Sequence, residues 1–148
     1  MKKAAVFLLV IIIIYVSAIA EHSEKEIEKI KNLHRLAETS GNLSVEKRLA
    51  HAKEALQLSI KIDDDKSRAN SLKKIGKIYR EINNFEKALE YYLSALKILE
   101  KIDDRKSVSI TLNSIGIIYK RLNRYGKALT AHLRSLKLKE KLGDLLKG

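Results

Sequence analysis

From Ser23 onward, apolar residues recur at intervals of three and four, the period of helices with one buried face. Ile27, Ile30, Leu33, Leu36 and Ala37 fall on one such face, and Val45, Leu49, Ala52, Ala55, Leu56 and Ile60 on the next. The same alternation predicts helices from about Lys66 to Ile82, Phe85 to Lys101, Lys106 to Leu122 and Tyr125 to Leu142. Polar punctuation separates them. Ser23 and Glu26 have the spacing of a capping box, and Ser44 suits an N-cap. Gly41 and Asn42, after a helix end near Ser40, can take the left-handed conformation that closes a helix. Asp63-Asp64-Asp65 ends one helix and starts another, Asn83-Asn84 and Asn123-Arg124 make turns, and Gly143 is expected to end the last helix. The chain has no proline, which fits helices almost throughout.

Before Ser23 the pattern is of a different kind. Lys2 and Lys3 precede an apolar run from Ala4 to Val16, and Ala18-Ile19-Ala20 forms an A-x-A site with cleavage expected before Glu21. Residues 1–20 therefore read as a signal peptide, and the product as exported, periplasmic or secreted. The competing reading is an uncleaved membrane anchor with the rest of the chain outside the cytoplasm, because Ala4 to Ala20 carries no charge.

The helical part repeats itself. Lys61 to Glu100 set against Lys101 to Glu140 gives 19 identities in 40 positions. A fixed period of this size marks a solenoid, in which each unit buries its apolar face against its neighbours. Leu72, Ile75, Gly76, Tyr79, Ala88, Tyr92 and Ala95 stand at the spacings of the tetratricopeptide signature, and Leu112, Ile115, Gly116, Tyr119 and Ala128 repeat them. His132 and Ser135 then replace Tyr92 and Ala95. The chain thus resembles the tetratricopeptide family. Its unit of 40 residues exceeds the usual length of about 34 and is similar to the extended repeats of kinesin light chains and of bacterial signalling proteins. The extra residues are expected in longer helices around the Asp-rich connection.

The resemblance implies an all-α fold, an α-solenoid of three antiparallel helix pairs in a right-handed superhelix, after the N-terminal signal helix. The units would be a degenerate first repeat at 23–62, a second at 66–101, a third at 106–142 and a tail at 143–148. The first departs from the pattern, with Ala37 near the glycine position and Ser40 near the tyrosine position. An end unit tolerates this, since one of its sides packs against nothing.

Charge and chemistry narrow the function. The chain has 30 basic and 18 acidic residues and a net charge of +12, to which the leader contributes only two lysines. It has no cysteine, so thiol chemistry, disulfides and cysteine-held zinc are excluded. His22, His34, His51 and His132 are scattered without a zinc spacing, and His132 reads as a half-buried packing residue. Asp63-Asp64-Asp65 lacks the glycine turn of a calcium loop and reads as helix capping. With no phosphate-binding glycine loop, the sequence offers no cofactor or metal site and no catalytic set.

What remains is the concave face that A helices line in tetratricopeptide superhelices. By resemblance, the contact positions fall on Asn70, Lys73, Lys74, Lys77, Arg80 and Glu81 in the second repeat. In the third they fall on Ile110, Asn113, Ser114, Ile117, Lys120 and Arg121. The first repeat supplies no matching residues, so the likeness to carboxylate-clamp chaperone adaptors is partial. A basic strip of this kind favours an acidic peptide segment or a C-terminal carboxylate. The implied function is a non-catalytic protein-interaction module or scaffold that holds a peptide or partner protein in its groove. The alternative is a truncated sensor or regulatory region of a larger signalling protein. Nucleic-acid binding through the basic surface, with Tyr91 and Tyr92 as stacking faces, is a weaker reading. Contact with a membrane surface through the same charge is compatible with the first. Where the chain stops at Gly148, a fourth A helix would begin, so Leu129, Leu133, Leu136 and Leu138 are expected to lie uncovered and to favour self-association.

Overall fold

The computed structural model describes residues 2–38 and 43–145, which form six helices and no strand. They are α1 (Lys2–Glu38), α2 (Val45–Lys61), α3 (Asp65–Glu81), α4 (Phe85–Lys101), α5 (Arg105–Arg121) and α6 (Tyr125–Leu145). Successive helices pair as α1 with α2, α3 with α4 and α5 with α6, and each pair packs on the next. The result is a helical solenoid. The predicted helix end at Ser40, the Gly41-Asn42 turn and the last three tail residues lie outside the described residues.

The forty-residue period has a simple construction. Each of α2 to α5 spans 17 residues. Two such helices with two three-residue connections complete the unit. Each connection places one non-glycine residue in left-handed conformation: Asp63 at φ 53°, Asn83 at 60°, Asp103 at 53° and Asn123 at 57°. Asp and Asn tolerate this region better than other side chains that carry a Cβ.

The residue that follows serves two helices at once. The Asp64 amide donates back to the Ser59 carbonyl at 2.9 Å, closing α2, while its carboxylate accepts from the Ser67 amide at 3.1 Å, opening α3. Asn84 and Asp104 repeat the arrangement, with their side chains accepting from Lys87 and Ser107. The Asp-rich connection is therefore capping chemistry.

The signature residues form the core. Leu72, Ile75, Gly76, Ala88, Tyr92, Ala95, Leu112, Ile115, Gly116 and Ala128 are buried. Tyr79 and Tyr119 pack against that core partly covered. Gly76 is required by close approach, since a Cβ there would lie 2.9 Å from Tyr92 Cδ2 and 3.3 Å from the Ala88 carbonyl. Gly116 stands in the same relation to His132, which is half-buried as expected.

Several expectations change. Ser23 and Glu26 form no capping box, because α1 runs unbroken from the apolar leader into the first repeat. No glycine or proline interrupts it, so the helix has no reason to restart at Ser23. Ile60 is 54% exposed, and Ser59 is buried in its place with its hydroxyl on the Leu56 carbonyl. Gly143 does not end α6, which continues to Leu145. Leu138 packs against the main core cluster and does not join the uncovered leucines.

A buried charge fixes the first repeat. Arg48 is 6% exposed, donates from Nε to the Ala37 carbonyl at 2.9 Å and from Nη2 to Glu81 at 2.7 Å. It joins α1, α2 and α3. The apolar part of α1 is the reverse case: Val6 to Val16 and Ile19 are exposed. Among the described residues, α1 is the one helix long and apolar enough to cross a bilayer, a test that a leader sequence also passes.

Candidate functional site

A cleft of about 530 Å³ opens between the A helices of the three pairs. Its first wall is α1, with Lys31, His34, Arg35 and Glu38. Asn70, Lys73, Lys74 and Lys77 of α3 form the second, and Ile110, Thr111 and Ser114 of α5 the third. Tyr92 of α4 reaches the floor. The spacings explain the composition: residues 31, 34, 35 and 38 form a stripe at intervals of three and four beside the buried stripe of Ile30, Leu33 and Ala37.

Charge in the cleft is one-sided. Five basic side chains face one carboxylate, Glu38, which pairs with Lys74 and is held below its usual pKa by that contact. Burial lowers the pKa of Lys73, an effect opposed by Asp104 in the next connection. The Tyr92 phenol is raised by burial.

His34 lies on the cleft floor with Nε2 at 2.8 Å from Ser71 Oγ. Ser71 donates its own proton to the Ser67 carbonyl at 2.9 Å, so its oxygen accepts from His34 Nε2–H. Burial, and then Lys74, push the imidazole down to about 4, and it is neutral at neutral pH.

The cleft collects only part of the expected groove. Asn70, Lys73, Lys74, Lys77, Ile110 and Ser114 meet there. Asn113 turns instead to His132, accepting from Nδ1 at 3.0 Å. Arg80, Ile117, Lys120 and Arg121 lie outside the cleft wall, and Glu81 is engaged by Arg48. Tyr91 stacks on Tyr79 with centroids 5.5 Å apart and planes at 12°.

Sequence reading missed the contribution of α1. The signature is degraded there, but the polar stripe at 31, 34, 35 and 38 was a usable signal. Among the described residues no group of histidine and carboxylate side chains could hold a metal ion. The arrangement can neutralise anionic groups and donate hydrogen bonds beside an apolar patch at Ile110, which is 50% exposed.

Helix pairing, packing glycines and period together define a class, the helical-repeat proteins. The sequence model of the tetratricopeptide repeat matches residues 46–101 and 88–141, and this chain belongs to that family. Repeats of the family generally serve as protein–protein interaction modules and are typically non-catalytic. No curated protein matches the chain. Among solved structures it is similar to the tetratricopeptide domain of Arabidopsis FLU, with a TM-score of 0.71 at 17% identity over 78% of this chain and 98% of that one. It is also similar to aspartyl phosphate phosphatase F from Bacillus subtilis, with a TM-score of 0.64 at 21% identity over 68% of this chain. It spans 26% of the length of that phosphatase. At these identities the likeness concerns the fold.

Proposed function

We propose that the chain is a non-catalytic interaction module that holds an acidic segment of a partner protein in the cleft between α1, α3 and α5. The observation that carries this reading is the placement of Lys73, Lys74 and Lys77 opposite Lys31 and Arg35 around one concavity. Carboxylates entering there meet ammonium and guanidinium groups, with Asn70 and Ser114 as further hydrogen-bonding groups and Ile110 as an apolar rest. By the family's contact pattern, Arg80, Asn113, Ile117, Lys120 and Arg121 would meet a ligand that extends beyond the cleft.

The full chain, held in a nanodisc of neutral phospholipid, is titrated with a labelled acidic peptide and with its amide-substituted counterpart. The acidic peptide is expected to bind at least tenfold more tightly, and the Lys73→Ala, Lys74→Ala, Lys77→Ala triple variant to lose that preference. Equal binding by wild type and triple variant would sink the reading. Tight, sequence-blind binding of single-stranded nucleic acid with a steep salt dependence would favour the basic surface over the cleft.

A second reading, a regulatory repeat region acting within a larger signalling protein, draws on the likeness to a phosphatase of which this chain spans only 26%. We also propose export directed by residues 1–20. Mass spectrometry of the cell-envelope product decides its form: an N-terminus at Glu21 means cleavage, and an intact leader means an anchor.

A further inference from the structure

The third repeat lacks a ring that the second one has. Tyr91 of α4 stacks on Tyr79 of α3 with centroids 5.5 Å apart, and the pair packs with Leu56 against the core cluster that holds Ile75. The repeat aligns Tyr119 with Tyr79, Leu96 with Leu56 and Ile115 with Ile75, but Ala131 stands where Tyr91 would be. The place of the ring is open. A groove of about 330 Å³, formed by α4, α5 and α6, is lined there by Leu96, Ile115, Tyr119 and Ala131. It shares no lining residue with the cleft between α1, α3 and α5.

Its walls differ from the filled counterpart in the same direction. Lys53, Glu86 and Glu90 align with Leu93, Gly126 and Thr130, so three charged side chains give way to uncharged ones, and all three successors line the groove. Packing does not demand the glycine: a Cβ on Gly126 would meet no atom within 4 Å, and its φ is not positive. The volume lies at the small end of the range of about 300 to 1,000 Å³ usual for ligand sites, which suits a single small aromatic molecule. Stacking on an exposed tyrosine face is the contact that the repeat itself uses.

Charge selects among aromatic ligands. Lys127 Nζ lies 5.9 Å from the centroid of Tyr119, as Lys87 Nζ lies 5.3 Å from that of Tyr79. Tyr79 holds Lys87 and Tyr91 together, so Lys127 leaves room for a ring on Tyr119. Arg134 replaces Ser94 and pairs with Glu100 at 2.6 Å, while Lys127 has no carboxylate partner among the described residues. The lining of the groove thus carries two cations and no carboxylate. An anionic group on the ring would meet both.

We propose that this groove binds a small planar aromatic acid, its ring stacked on Tyr119 in the place that Tyr91 takes on Tyr79 and its anionic group between Lys127 and Arg134. The site lies apart from the cleft and does not depend on it.

The probe is para-hydroxyphenylacetate, which carries the ring of the missing tyrosine and a carboxylate. Its neutral amide and cyclohexylacetate are the controls. The full chain in nanodiscs of neutral phospholipid is brought to equilibrium by dialysis against each, with empty nanodiscs subtracted, and the aromatic acid is expected to bind at least fivefold more tightly than either control. Ala131→Tyr should weaken it at least tenfold with helicity unchanged by circular dichroism, since the same ring pair is accommodated one repeat earlier. Thr130→Glu, at an exposed position, should remove the preference for the acid over the amide, and Lys73→Ala should leave it alone. No retention above empty nanodiscs, equal retention of the acid and either control, or binding that survives Ala131→Tyr overturns the proposal. So does binding lost with Lys73→Ala, which would place the acid in the cleft.

Discussion

His34 Nε2 stands 2.8 Å from Ser71 Oγ, so the degraded first repeat is tied to the second at the floor of the cleft. Burial, with Lys74 and Lys73 beside it and Glu38 in opposition, holds this imidazole at about 4 against an ordinary 6.5. A histidine neutral in the fold and protonated in the unfolded chain makes stability fall as pH drops through that interval. The contribution is complete above 6.5 and lost by about 4. Because His34 is only half-buried, the loss is expected at about 1 to 2 kcal/mol, less than the full shift implies. Urea unfolding between pH 7 and 5 measures it, in a window above the range where Glu38 and Asp104, both held low, become protonated. His34→Gln should flatten the slope.

Arg48 satisfies the Ala37 carbonyl and the Glu81 carboxylate from a buried position. Arg48→Met keeps much of the packing but leaves both acceptors without their donor. A loss of about 2 to 4 kcal/mol is expected. Thermal denaturation checks it. Glu81→Gln in the Arg48→Met background should recover part of the loss, because the remaining partner no longer carries a charge.

A Cβ on Gly116 would lie 2.6 Å from His132 Nε2 and 2.7 Å from Cε1. Gly116→Ala is therefore expected to destabilise by about 1 to 2 kcal/mol despite the better helix propensity of alanine. With His132→Ala the obstruction is gone, and the same substitution should stabilise by about 0.5 to 1 kcal/mol. A double-mutant cycle in urea tests the change of sign.

Arg124 occupies the position at which Asp64, Asn84 and Asp104 cap α3, α4 and α5, and its guanidinium offers no acceptor to the first turn of α6. Arg124→Asp should add about 1 kcal/mol by supplying the acceptor and a favourable charge at the helix start. Asp64→Ala should cost a similar amount. Hydrogen exchange at the first turns of α6 and α3 reads the two effects locally.

The sequence by itself determined the helices and their joints, because both depend on interactions within a few residues. Apolar spacing located α2 to α5 to within a residue of each end, and Asp64 caps α3 from within the Asp-rich run expected to start it, while Asn84 and Asp104 cap α4 and α5. The contact positions implied by the family resemblance included Asn70, Lys73, Lys74 and Lys77, which line the cleft. Tertiary structure decided what each face meets. Period alone ranked Ile60 with the packing residues and left Leu138 with the uncovered ones, yet neighbouring helices cover Leu138 and miss Ile60. Lys31, His34, Arg35 and Glu38 join the cleft because α1 stacks beside α3, a relation that a degraded signature does not encode. Leu89 and Leu129 make the reason plain: one residue at one repeat position is buried by a following helix in the first case and open in the second. Local sequence fixes which way a side chain points from its helix, and only the stacking of helices fixes what stands there to receive it.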